Sequence, residues 1–176
     1  MGAVNTFQYN HFKLTQLFSK SMATQAEKYH LAMAGEYFVA AQLQRLNIAA
    51  SVTYGNAKSA DVVAFSSSSE RAVLIEVKST SKPKWVVGGR VPHPADKPWV
   101  FVLIPELNDA PPRFFILTQT ELHNILAPLD AAYDQRYKEK HGVEYGDRPG
   151  VINLTRSQAE PFENNWEKIV SQLKTE

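Results

Sequence analysis

The segment from Arg71 to Lys78, RAVLIEVK, constrains the fold more than any other part of the sequence. It is an apolar run of strand-forming residues that abruptly carries an acid, Glu76, and a base, Lys78, two positions apart. Side chains alternate in direction along a β-strand, so Glu76 and Lys78 share one face while Ile75 and Val77 point to the other. The pattern predicts a largely buried strand that ends with charged groups on one face. An exposed strand face with an ordinary ion pair would give the same pattern.

Further elements surround this strand. From Thr24 to Leu46 the sequence has no proline and is rich in helix-forming residues, which predicts a long helix with Thr24 and Glu27 as a capping box. Other apolar runs predict strands at 51–54, 61–65, 99–104 and 113–118, and helices at 119–126 and 166–173. The serines after Phe65 predict a turn, which joins the strands on either side of it in an antiparallel hairpin. This element order predicts an α/β fold with a central mixed β-sheet flanked by helices.

The chain has 176 residues, the usual size of one domain, and we expect 1–22 to be an extension and 23–176 a single domain. The absence of cysteine excludes a disulfide framework and a cysteine nucleophile. No apolar stretch approaches the roughly 18 residues of a membrane span, so we expect a cytoplasmic protein that contacts no membrane. The formal net charge is +1, so any site for a polyanion must be a local patch.

One such patch lies in the stretch 78–97, which we predict to be a basic loop. Its charged residues are Lys78, Lys82, Lys84, Arg90 and Lys97 against Asp96. The hydroxyls of Ser79 and Thr80 could bond phosphate oxygens, and the side chains of Lys82, Lys84 and Arg90 would extend the positive surface along a nucleic-acid backbone. A solvated loop with ordinary lysines is the alternative. We expect Trp85 to pack in the core, and the tyrosine-rich stretch 131–148 to form a solvated helix face.

Two further acids bear on the chemistry of Glu76. Asp61 opens the preceding strand, DVVAF, so the hairpin would bring it beside Glu76. Neighbouring carboxylates repel each other, and a fold keeps them mainly where a cation neutralises them; oxygen-only ligation is what Mg2+ prefers. Glu36 shares the apolar face of the long helix, where an uncompensated acid is costly, and Gly35 permits close approach to the sheet. Asp61 as a turn residue and Glu36 as an edge residue reaching solvent are the alternatives.

The order Glu36, then Asp61, then Glu76-Val77-Lys78 resembles the PD-(D/E)XK nuclease superfamily, in particular archaeal Holliday-junction resolvases and restriction endonucleases. The resemblance covers about residues 24–104. It rests on a Gly-Glu in the first helix, an Asp that opens a strand, and Glu-x-Lys on the next strand. Ala60 stands before Asp61 where many members have proline. The resemblance implies a restriction endonuclease-like fold.

The resemblance also implies a metal-dependent endonuclease that hydrolyses DNA. Asp61 and Glu76 would hold Mg2+, Glu36 would complete the metal shell, and Mn2+ would substitute for Mg2+. Lys78 would orient or deprotonate the attacking water, or stabilise the charge that develops on the phosphate. Cutting both strands of a duplex favours a homodimer. Since one fold serves many functions, the alternatives are a non-catalytic nucleic-acid-binding or assembly protein on the same fold, and an RNA-processing nuclease.

Overall fold

The computed structural model describes residues 23–54, 60–66, 70–106, 110–146 and 150–174. The extension expected at 1–22 lies outside the described residues. The elements are α1 (Gln25–Arg45), β1 (Ala49–Val52), β2 (Val62–Phe65), β3 (Ala72–Thr80), β4 (Lys84–Gly88), β5 (Pro98–Leu103), β6 (Arg113–Thr118), α2 (Gln119–His141), β7 (Ile152–Thr155), α3 (Arg156–Ala159), a 3-10 turn (Glu160–Phe162) and α4 (Glu167–Lys174). No helix among the described residues is long and apolar enough to cross a membrane.

Five strands form the main sheet, in the order β1, β2, β3, β5, β6. The strands β3 and β5 run parallel, whereas all other neighbours in this sheet are antiparallel. The predicted hairpin of β2 and β3 is present, with Val62 opposite Ile75. Helices pack against both faces of the sheet through separate apolar clusters. The prediction of an α/β fold with a central mixed sheet flanked by helices is therefore confirmed.

One face of the sheet is covered by α1 and α4. The helix α1 begins at the predicted capping box, in which the Thr24 hydroxyl accepts a hydrogen bond from the Glu27 backbone N–H and the Glu27 carboxylate accepts one from the Thr24 backbone N–H. Its buried side chains Val39 and Leu43 pack on the branched aliphatic residues of β2 and β3. Buried side chains recur every three to four residues along α1, so one face of the helix packs on the sheet.

The opposite face carries an aromatic core beneath β4, β7 and α2. The ring of Trp85 lies 5.7 Å from that of Phe101 and 5.4 Å from that of Phe115, both in edge-to-face geometry. The Trp85 indole Nε1–H donates to the Val102 carbonyl at 3.0 Å, so the expectation that Trp85 packs is confirmed. Buried aromatic rings of this kind supply a large share of core stability.

Several elements differ from the sequence-based prediction: β7 and α3 were not predicted, and the strand expected at 51–54 is β1, Ala49–Val52. The stretch predicted as a basic loop contains β4, which pairs with β7 in a separate two-stranded sheet because alternation along KWVVG buries Trp85 and Val87. The helix predicted to end at 126 continues to His141, with Pro128 inside it. Apolar periodicity stops at Leu126, because beyond it the helix leaves the core and the described part of 131–148 is largely exposed, as expected.

Candidate active site

The strand β3 changes its hydrogen-bonded partner halfway along its length. Its first half pairs with β2, and the ladder ends with Val62 opposite Ile75. Its second half pairs with β5, beginning with Glu76 opposite Trp99. From Glu76 onward β3 therefore has β5 on one side and, within the described residues, no longer pairs with β2 on the other.

Asp61 lies at this change of partner. Its backbone N–H donates to the Ile75 carbonyl at 2.9 Å, and its carboxylate Oδ2 accepts from the Val77 backbone N–H at 2.9 Å. A side-chain carboxylate thus takes the position that a carbonyl of β2 would occupy if the ladder continued. The structure places Asp61 at the level of Glu76 across the hairpin, which is where the sequence analysis expected it.

Glu76 is held by two ammonium groups. Lys78 Nζ lies 2.8 Å from Oε1 of Glu76, and Lys97 Nζ lies 2.9 Å from Oε2. The Glu76 side chain is 22% exposed, and those of Lys78 and Lys97 are 29% and 27% exposed. Burial on its own would raise the pKa of the Glu76 carboxyl, but the hydrogen bonds and charges of the two lysines lower it overall below its ordinary value.

Glu76 and Lys78 project from the same face of β3, as predicted from the two-residue period. Lys78 Nζ also lies 5.4 Å from the centroid of the Trp99 ring, which belongs to the aromatic core on the α2 side of the sheet. The Trp99 indole Nε1–H in turn donates to the Gln119 side chain at 3.0 Å. The Lys78 ammonium is therefore fixed by a carboxylate and an aromatic face together.

Glu36 and Ser79 lie on the α1 side of the sheet instead. Glu36 is only 5% exposed, in keeping with its predicted place on the buried face of α1. A Cβ at Gly35 would lie 1.7 Å from Ser79 Oγ, so α1 touches β3 at this point and covers the Ser79 hydroxyl. Alternation along β3 turns Ser79 to the face opposite Lys78, and its contact with a phosphate stays a prediction. A role for Glu36 in the metal shell stays a prediction. It requires the Glu36 carboxylate to reach past the start of β2 toward Asp61 and Glu76.

The other predicted phosphate contacts occupy the region that follows β3. The Thr80 hydroxyl accepts a hydrogen bond from the Lys82 backbone N–H at 3.1 Å and so shapes the turn into β4. Lys82, Lys84 and Arg90 are exposed, and Lys84 points outward from the first position of β4. Their contact with nucleic acid stays a prediction.

The residues at the change of partner fit a magnesium ion as part of its shell. Asp61 and Glu76 would supply the one or two carboxylates that Mg2+ takes from a protein when waters and phosphate oxygens complete its octahedron. Within the described ranges, no three His, Asp or Glu side chains are grouped so that they could hold a metal ion by themselves. A Mg2+ ion held by Asp61 and Glu76 would therefore need waters or substrate oxygens for the rest of its shell.

The sequence indicates no role for Lys97 beyond its positive charge. Lys97 is separated from Glu76 by 21 positions and lies just before β5, at the end of the stretch that was predicted as a loop. No spacing rule connects two such positions. One signal could have pointed to a second donor for Glu76. Lys78 can bond only one oxygen of Glu76 in a linear hydrogen bond, so the other oxygen needs another donor.

No protein-family model and no curated protein matches the sequence. Among solved structures, that of a bacterial homing endonuclease, I-Ssp6803I, is similar to the chain with a TM-score of 0.43 and 14% sequence identity. The similarity spans 86% of this chain and 94% of that one. A likeness at this level assigns neither a family nor an activity.

Proposed function

We propose that this chain is a metal-dependent phosphodiesterase that hydrolyses DNA as an endonuclease, in the manner of the PD-(D/E)XK superfamily that its motifs resemble. The observation that carries the proposal is the placement of Asp61 and Glu76 at the point where β3 changes partner, with Lys78 on the face of Glu76. Two carboxylates and a lysine at this change of partner would supply the oxygen ligands and the cationic donor that metal-assisted phosphodiester hydrolysis needs.

The proposal gives each side chain a role. Asp61 and Glu76 would hold Mg2+ or Mn2+, and Glu36 would complete the shell through water. When bound, the metal would polarise the scissile phosphate and lower the pKa of a bound water. Lys78, held 2.8 Å from Glu76 and over the Trp99 ring, would orient or deprotonate that water or stabilise charge on the phosphate.

Substrate binding would use the exposed groups that follow β3. Thr80, Lys82, Lys84 and Arg90 would contact the DNA backbone, which positions a duplex without reading its sequence. Because the net charge of the chain is only +1, this local group has to provide the attraction. One site cuts one strand, so cleavage of both strands would use a homodimer.

A second candidate is a non-catalytic nucleic-acid-binding or assembly protein on the same fold. It is favoured by one specific observation, namely that both oxygens of Glu76 already accept hydrogen bonds from lysines. The acid is thereby neutralised without a metal ion. Such a protein would retain the residues of the site as an ion-pair network that stabilises β3.

The test is cleavage of plasmid, single-stranded DNA, a four-way DNA junction and single-stranded RNA, each with Mg2+, Mn2+ or EDTA. We expect metal-dependent cleavage of DNA that Glu76→Gln reduces by about 10²–10³-fold or more, because the variant loses a charged ligand at the reacting centre. Glu163→Gln is the matched control. Glu163 is also a partly buried carboxylate in an ion pair, with Arg113 at 2.7 Å, and its loss should change cleavage by less than about twofold.

The remaining outcomes separate the alternatives. Cleavage confined to RNA would replace the proposal with an RNA-processing nuclease. Nucleic-acid binding without cleavage under any metal, equal in EDTA, would favour the binding module. Equal loss of activity in Glu76→Gln and Glu163→Gln would mean that both act through stability alone.

A further inference from the structure

The two lysines that bond Glu76 reach it by different routes. Lys78 is two residues along the same strand, so the alternation of β3 brings the two side chains to the same face. Lys97 comes from the segment before β5 and reaches across to the other oxygen of Glu76. No local rule of the strand requires this second contact, which therefore depends on how the segment before β5 is held.

The backbone around Lys97 is fixed by two helices. Its carbonyls accept hydrogen bonds from three residues. Gln119 N–H donates to the Lys97 carbonyl at 2.9 Å, the N–H and the hydroxyl of Thr120 donate to the Ala95 carbonyl at 3.0 Å and 3.1 Å, and the Gln172 side-chain amide donates to the Asp96 carbonyl at 2.8 Å. The next residue, Pro98, opens β5 and restricts the backbone of Lys97. Lys97 is thus presented to Glu76 by a fixed backbone.

The formal charges at the change of partner balance without a metal ion. The carboxylates of Asp61 and Glu76 are matched by the ammonium groups of Lys78 and Lys97, and Lys97 bonds the second oxygen of Glu76. A dication added to this arrangement would be repelled by both ammonium groups at short range. It would also find each Glu76 oxygen engaged by an N–H donor.

We infer that Lys97 and a divalent cation compete for Oε2 of Glu76, so that metal binding requires the Lys97 ammonium to leave. The inference rests on the proposed metal site and adds a positioning residue to it. Lys97 is the group that leaves, because its tie to Glu76 is not imposed by the strand, whereas the alternation of β3 keeps Lys78 beside Glu76. After release, the fixed backbone of Lys97 keeps its ammonium beside the site, where it can donate to a phosphate oxygen of the substrate.

The test is the affinity of the full-length chain for Mn2+ and Ca2+ without DNA, measured by titration calorimetry at constant ionic strength. We expect Lys97→Met to bind each ion about three- to tenfold more tightly than the unmodified chain, because one charge-assisted hydrogen bond no longer has to be broken. Lys97→Arg, which keeps the charge and the donors, should retain the weaker affinity. Lys168→Met is the matched control, since Lys168 forms a partly buried ion pair with Glu121 far from the site in sequence.

A second readout is DNA binding at saturating Ca2+, where the released Lys97 ammonium can donate to a phosphate oxygen, so Lys97→Met should weaken binding and Lys97→Arg should restore it. Equal ion affinities in the unmodified chain and Lys97→Met would overturn the inference and leave the metal site standing. No ion binding to either protein, with folding verified by circular dichroism, would refute the metal site and with it the proposed function. Ion binding that appears only in Lys97→Met would support the competition most directly. Tighter binding in Lys168→Met as well would show a general effect of net charge and contradict the role of Lys97.

Discussion

The two halves of β3 differ in how their hydrogen bonds are satisfied. From Ala72 to Ile75 the strand is paired by backbone groups of β2, and its inward residues belong to the aliphatic core under α1. From Glu76 to Thr80 the backbone partner is β5, and on the other side the Val77 N–H is bound by the Asp61 carboxylate. The charged residues Glu76 and Lys78 thus lie in the part of β3 where a side-chain carboxylate takes the place of a neighbouring strand.

This difference also explains why an acid and two lysines are tolerated so near a core. Polar groups near a core are stable when each is hydrogen-bonded. Glu76 meets that condition through the two lysines, and the Val77 N–H meets it through the Asp61 carboxylate. The first half of β3 has no such need because the ladder with β2 is regular. A change of strand partner is therefore a place where polar chemistry can be built without leaving backbone groups unsatisfied.

The largest effect is expected at the contact between α1 and the second half of β3. An added Cβ at Gly35 would lie 1.7 Å from Ser79 Oγ and 2.9 Å from Ser79 Cβ, so the helix or the strand has to shift. We expect Gly35→Ala to lower the free energy of unfolding by about 2–3 kcal/mol, because overpacking outweighs the roughly 1 kcal/mol by which alanine favours a helix. Urea unfolding measures the change.

The double variant Gly35→Ala, Ser79→Gly sharpens this prediction. It moves the space of the Ser79 side chain to position 35, so its stability should exceed the value obtained by adding the two single changes. Additive losses, or a Gly35→Ala chain as stable as the unmodified one, would show that α1 does not need to touch the second half of β3.

An intermediate effect is expected at Asp61, in EDTA. The sequence predicts that Asp61 and Glu76 are two neighbouring acids, so removing Asp61 would be expected to relieve the repulsion between them. In the structure Lys78 and Lys97 already neutralise Glu76, so Asp61→Ala removes mainly the acceptor of the Val77 N–H. We expect a loss of about 1–3 kcal/mol in the free energy of unfolding, the cost of a partly buried donor without its partner.

Asp61→Asn is the matched variant, since its amide oxygen can still accept from the Val77 N–H. It should recover at least half of the stability lost in Asp61→Ala, while cleavage stays abolished in both because a neutral amide is a poor ligand for Mg2+. A more stable Asp61→Ala chain in EDTA would mean that repulsion between the acids dominates after all.

Much of the fold and part of the site could be predicted because the rules involved are local. The two-residue period placed Glu76 and Lys78 together, and the serine turn placed Asp61 beside them across a hairpin. The same period also turns Ser79 toward α1, a consequence that the sequence analysis overlooked. The full length of α2 was also readable, since basic residues and Gly142, at a φ of 70°, mark its end beyond Pro128.

Other features depend on contacts between distant parts of the chain. The pairing of β4 with β7 joins segments more than sixty positions apart, so no local turn pattern connects them. The bond between Lys97 and Glu76 depends on hydrogen bonds from α2 and α4 to the segment before β5. Such contacts follow from packing, which no pattern in a single segment encodes.

The smallest effect is the acid dependence that Glu76 gives to stability. Burial raises the pKa of Glu76, but the bonds and charges of Lys78 and Lys97 lower it overall. The Glu76 carboxyl therefore holds its proton less tightly in the folded state than in the unfolded state, in which a glutamate has a pKa of about 4.3. This contribution is fully present above that pH and is lost as the pH falls through the lower, folded-state pKa.

Because Glu76 and both lysines are partly exposed, we expect this contribution to be below about 1 kcal/mol. It is measured as the difference in free energy of unfolding between the unmodified chain and Glu76→Gln, followed from pH 7 down to about pH 3. The difference is needed because the pKa values of Glu121 and Glu163 are also lowered by their partners, so the unmodified chain alone reports a sum. Lys97→Met should shrink the Glu76 contribution, because one of the two cations that lower its pKa is gone. A difference between the two chains that does not change with pH would show that the lysines at the second half of β3 do not bind Glu76 in the folded protein.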